Sequence, residues 1–66
     1  MHVTTIAQRA AYTAATHGQY DEARRQWRIA GEWYLAQRGP RIQAYGQGCM
    51  RTADLTDDKL PRYQTL

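Results

Sequence analysis

The pattern Gly18-x-Tyr20-x-x-Ala23-x-x-x-Trp27-x-x-Ala30 constrains this chain more than any other run in it. A glycine just past a helix takes the left-handed conformation that ends it. The apolar residues that follow, Tyr20, Ala23, Trp27, Ala30 and Tyr34, return at steps of three and four, which traces one helical face over two heptads. Upstream, Val3, Ile6, Ala10 and Ala14 also step by three and four, and Thr4 or Thr5 is placed to cap that helix. Two helices joined at Gly18-Gln19-Tyr20 make an antiparallel hairpin. The tyrosine packs back on the first helix, the alanines admit a close neighbour, and Trp27 fills the space between as core. The same code occurs in tetratricopeptide repeats, but one copy is visible here and a solenoid needs about three.

Helix two carries a second apolar strip, Ile29, Trp33 and Ala36, beside the first. One neighbouring helix cannot cover both, so a third helix or a second chain is required. Gly39-Pro40 ends helix two, because proline cannot continue the ladder and restricts the residue before it, and proline also suits the first position of a new helix. The spacing of Ile42, Tyr45, Cys49 and Ala53 predicts that helix over Arg41 to Thr52. Gly46 and Gly48 weaken it, each by about 1 kcal/mol relative to alanine. Residues 54–66 are polar, contain Pro61 and lack a stripe, which predicts at most one turn near Leu55 to Leu60. The expected architecture is all-α: an antiparallel helical hairpin plus a third helix over residues 1–53, followed by a loose polar C-terminal tail over residues 54–66.

A 66-residue chain has a small core. Single cores below about 70–80 residues rarely supply more than about 3–5 kcal/mol and are commonly stapled by disulfides, a metal or a partner. Cys49 is the one cysteine, and Cys49, His2 and His17 are not at metal-ligand spacing. Association is what remains, as a homodimer or on another protein. The lone cysteine suits a reducing compartment. No apolar run follows Met1, and the longest uncharged stretch, Ala10 to Tyr20, is too polar to span a bilayer. The expectation is a cytoplasmic protein without membrane contact. Residues 1–53 carry seven arginines against Asp21, Glu22 and Glu32, a net +4, and the tail is mildly acidic at −1. Such a body permits nucleic-acid contact without requiring it.

No nucleophile sits beside a base, no carboxylate pair has evident placement, and Gly46-Gln47-Gly48 is too short to cradle a phosphate. The chain is expected to be non-enzymatic, with no catalytic residues, cofactor or metal. Trp33 and Tyr34 point about 100° apart on a helix and cannot both face one neighbour. Tryptophan is enriched where binding energy concentrates, so Ile29, Trp33, Tyr34 and Ala36, with Tyr45 of helix three, are the candidate partner-binding residues. Arg24, Arg25 and Arg28 are candidate phosphate contacts set against the simpler reading of a solvated face, with Asp21 placed to pair with Arg25. His2 and His17 read as incidental, and Cys49 as a buried small apolar residue.

The scaffold residues Ala10-Ala11, Gly18, Tyr20, Ala23, Trp27 and Ala30, followed by Cys49, resemble the ANR family of small bacterial and phage regulators, the negative regulators of AraC-type activators. Residues 7–30 fit closely and Ala7 to Arg51 loosely. The chain departs from that pattern at Thr16-His17, where an acidic residue is usual before the glycine. It departs again at Arg38-Gly39, where an asparagine is usual, at Arg41 for a tryptophan, at Tyr45 for an arginine, and at Gly48 for an aromatic. PerC-like activators share the Gly, Tyr, Ala and Trp region and are the nearest alternative. The resemblance implies a regulator that acts by protein contact, binding AraC/XylS-type activators and blocking their dimerisation, or touching nucleoid-associated protein. Direct DNA binding through the arginines, and a phage-encoded inhibitor of another host system, are the other readings.

Overall fold

The computed structural model describes residues 2–64. Three α-helices follow in order, α1 (Val3–Thr16), α2 (Tyr20–Leu35) and α3 (Pro40–Ala53), and a single 3₁₀ turn, Asp57–Lys59, comes after them. The described residues contain no strand. α2 is the central element and packs against both α1 and α3, which make no comparable contact with each other. The all-α hairpin with a third helix is therefore the fold.

Each junction follows from local chemistry. Gly18 adopts φ +76°. Its N–H donates to the Ala15 carbonyl at 3.1 Å and the Gln19 N–H reaches back to the Ala14 carbonyl at 2.8 Å. This is the paired bond set that closes a helix on a left-handed glycine. Gly39 takes φ +126° directly before Pro40, which opens α3 one residue earlier than the spacing predicts. The Gln43 side-chain amide donates to the carbonyl of Leu35 at 2.9 Å and also to that of Gln37, supplying partners to groups that a helix end leaves bare. The α1 cap differs from expectation. His2, not Thr4 or Thr5, is the cap, its Nδ1 accepting the Thr4 N–H at 3.2 Å. Thr4 is instead a buried first-turn residue whose hydroxyl accepts from the Tyr34 hydroxyl at 3.1 Å.

The α2 seam lies as its spacing requires. Ala23, Trp27 and Ala30 are buried, with Tyr20 and Tyr34 half-buried at its ends. The α1 face needs correction. Its buried line is Thr4, Ala7, Ala11, Ala14 and Ala15, whereas Val3 and Ile6 are 44% and 53% exposed. Two adjacent lines on this helix have suitable spacing, and the one of small side chains wins, because it lets the backbones approach closely enough to bury Trp27 among Ala7, Ala11 and Ala30. Ala14 belongs to both lines, and Ala10 is half-buried between them.

Residues 54–64 contain the one expected turn and no regular structure after it. They are nonetheless tied to the hairpin. Leu60 is 2% exposed and packs with Ala14, Ala15, Ala23 and Tyr20. Arg24 donates to the Leu55 carbonyl at 3.0 Å and pairs with the Asp57 carboxylate. The Tyr63 N–H donates to the Thr16 hydroxyl at 2.9 Å.

α2 and α3 cross at two glycines. A methyl added at Gly46 would lie 2.7 Å from Leu35 Cγ and 3.0 Å from the Gly31 carbonyl oxygen, and one at Gly31 would meet Met50 Sδ at 2.8 Å. Gly46 thus costs helix propensity but permits the crossing. Gly48 has open space around it. Gly46→Ala should therefore lower stability by about 1–3 kcal/mol through overpacking, while Gly48→Ala should raise it by up to about 1 kcal/mol through propensity. Urea unfolding of the two variants, compared at equal m-value, checks both signs.

Candidate functional site

The residues proposed from sequence for partner contact divide between core and surface. α3 lies over the Gly31 and Leu35 side of α2, so it leaves the Ile29–Trp33–Ala36 strip uncovered. Trp33 is 36% exposed, Ala36 is the exposed C-cap of α2, and Ile29 is half-buried against the core. Tyr34 is half-buried between α1 and α3, and Tyr45 on α3 is 66% exposed.

A continuous chain of rings joins three of these positions, on α2 and α3, to His2 at the N-terminal cap of α1. His2 meets Trp33 edge-on at 4.4 Å between centroids, Trp33 meets Tyr34 at 5.7 Å, and Tyr34 meets Tyr45 at 5.9 Å. Such tilted and edge-on arrangements are those aromatic pairs prefer. His2, read from sequence as incidental, is thus both helix cap and first ring of the patch. Ile6 lies one turn beyond His2 on α1, and Ile29 one turn before Trp33 on the antiparallel α2, so the patch continues along the hairpin seam. Sequence periodicity hides Val3 and Ile6, because it assigns them to the buried line.

The arginine cluster is less free than its composition implies. Arg24 pairs with Asp57 and with Asp21, the latter at 3.7 Å. Arg25 is bound not by Asp21 but by Glu22, at 2.7 Å, three residues away, where a glutamate reaches both guanidinium donors. Hydrogen bonds from Arg25 and Gln26 hold the Glu22 carboxyl down at about 2, and the same pairing pushes Arg25 up. Arg28 is exposed and takes no part in these pairs. Two of the three candidate phosphate contacts are therefore engaged within the chain.

The remaining polar features offer little chemistry. An open groove of about 310 Å³ is lined by Thr5, Gln8, Arg9, Tyr12 and Tyr63, with no nucleophile–base pair among them. No three His, Cys, Asp or Glu side chains among the described residues come together to hold a metal. His17 caps the end of α1 through Nδ1, 2.8 Å from the Thr13 carbonyl. The Trp27 indole N–H is buried without an acceptor among the described residues, consistent with a side chain kept for volume. No helix among the described residues is long and apolar enough to cross a membrane.

Fold and surface together define a small three-helix α protein with an aromatic patch at the end of the hairpin opposite its turn. No family model, curated protein or solved structure matches the chain.

Cys49 is 8% exposed within the core of Ala7, Ala11, Trp27, Ala30 and Ala53. Burial pushes its thiol above the ordinary value, so little thiolate is present near neutrality. The native protein should react with a thiol–disulfide exchange reagent at least about tenfold more slowly than the urea-unfolded chain. Equal rates would place Cys49 outside the core.

Proposed function

We propose that this chain is a non-enzymatic transcriptional regulator that acts by protein contact, with an AraC/XylS-type activator as its target. Trp33, Tyr34 and Tyr45 are the centre of the contact. The observation that carries this reading is the ring chain from His2 to Tyr45, which sets several aromatic side chains side by side and partly exposed on one surface. Aromatic residues are enriched at interface centres. The resemblance of Gly18, Tyr20, Ala23, Trp27 and Ala30 to the ANR pattern supplies the target class, and a nucleoid-associated protein is the second target it offers. The departures from that pattern at Arg41 and Tyr45 fall at the start of α3 and on the patch itself, where a change of partner would be written.

Direct DNA binding is the weaker reading. Arg24 and Arg25 already hold carboxylates, and phosphate-driven binding would need them released. A gel shift that weakens steeply with salt would favour it.

The test mixes the protein with an AraC/XylS-type activator from the same genome and measures the complex by size exclusion and titration calorimetry. Trp33→Ala should weaken the complex about thirtyfold, the effect of a hot spot of about 2 kcal/mol. Arg28→Ala should leave it within about twofold, as solvated interface charges do. A Trp33→Ala variant that binds as tightly as the parent removes the patch from the contact.

A further inference from the structure

At the turn end of the hairpin, about 18 Å along α1 from the ring chain, the alanine face of α1 and α2 holds a second apolar site, and the chain's own residues 57–63 lie over it. One side chain enters it, Leu60, seated on Ala14, Ala15, Ala23 and Tyr20. The remaining contacts, polar and aromatic, to the hairpin or within the segment, lie nearer the surface. Arg24 grips Asp57 and the Leu55 carbonyl. Arg62 donates to the Asp57 carbonyl at 2.7 Å and lies over the Tyr20 ring at 5.7 Å, and Tyr63 leans on Tyr12 at 5.3 Å. A segment in an extended-and-turn conformation, anchored by one leucine with an acidic residue three before it and a cation two after it, is the form of a short docked peptide. The link from α3 to this segment, Asp54-Leu55-Thr56, is exposed throughout.

We propose that the hairpin turn carries a peptide-docking groove whose ligand is the Asp57-x-x-Leu60-x-Arg62-Tyr63 segment, bound in cis in the single chain and exchanged between two copies in a dimer. The occupant is argued from what already sits there. The groove is matched to this segment in shape by Leu60 and in charge by the Arg24–Asp57 pair, and a second copy presents the same segment. Exchange remakes identical contacts, which makes it a low-cost route to a dimer, and the three-residue link is the element that must swing. The short link makes the effective concentration in cis high, so the cis form dominates in dilute solution and exchange competes with it as protein concentration rises. The groove is separate from the Trp33 patch, and a dimer formed this way leaves that patch open on both copies.

The experiment uses the full chain with exposed charges swapped. Arg24→Glu sets two carboxylates together in cis, and Asp57→Arg sets two guanidinium groups together. Each variant alone should release its own strap, read by mass spectrometry as trypsin cleavage of the Lys59–Leu60 bond about tenfold faster than in the parent, since cleavage follows the open population. Mixed in equal amounts, the two variants match opposite charges solely between copies. The expected result is a 1:1 dimer by mass in solution with protection of that bond restored. The double variant R24E/D57R, which rebuilds the pair in cis, should behave as the parent. A mixture that stays as two monomers, cut as fast as each alone, overturns the proposal. Should a single variant lose its helical circular dichroism, isotope-labelled and unlabelled parent chains are mixed at high concentration instead. Mixed-mass dimers that Leu60→Asp abolishes support exchange, and their absence overturns it.

Discussion

Close approach of backbones across faces of alanine and glycine holds this molecule together. α1 meets α2 through Ala7, Ala11, Ala14 and Ala15 on one side and Ala23 and Ala30 on the other, and α2 meets α3 where Gly31 faces Gly46. Small side chains give little transfer energy individually, but they let many backbone and side-chain atoms reach contact distance, and dispersion accumulates with that number. The spaces left over are filled by a few larger groups, chiefly Trp27 with Cys49 near the middle and Leu60 near the turn.

This economy has a consequence at the surface. A core of alanines has no room for the chain's larger apolar side chains, so Val3, Ile6, Trp33 and Tyr45 are displaced outward. The aromatic patch is thus the counterpart of the small-residue core. Its rings are held rather than loose, since Trp33 is braced by His2 and Tyr34, and Tyr34 is fixed in turn by its hydroxyl on Thr4. A braced aromatic surface loses little conformational freedom when it is covered, which fits the contact role proposed above.

Charge, too, is arranged by the fold rather than by the order of residues. Arg24 and Arg25 read as a basic cluster in sequence, yet in the fold one clamps the C-terminal segment and the other closes on Glu22 within the helix. Two of the arginines that give the body its net positive charge are therefore already matched by carboxylates within the chain.

The helices, their junctions at Gly18 and Gly39-Pro40, and the buried seam Ala23–Trp27–Ala30 were determined by sequence alone, because turn chemistry and a period of 3.6 act over neighbouring residues. The same local reasoning placed the one turn of the tail near Leu55 to Leu60. Tertiary structure decided the rest. It chose the alanine line of α1 over the neighbouring line of Val3 and Ile6, since two adjacent lines have equal spacing and packing against Trp27 distinguishes them. It made Gly46 a crossing point and left Gly48 free, a difference set by where α2 lies. It gathered His2, Trp33, Tyr34 and Tyr45 into one patch from α2, α3 and the cap of α1, left Ile29 half in the core, and seated Leu60 of a polar segment on the hairpin turn. Each of these depends on a contact between residues far apart in the chain, for which local periodicity carries no signal.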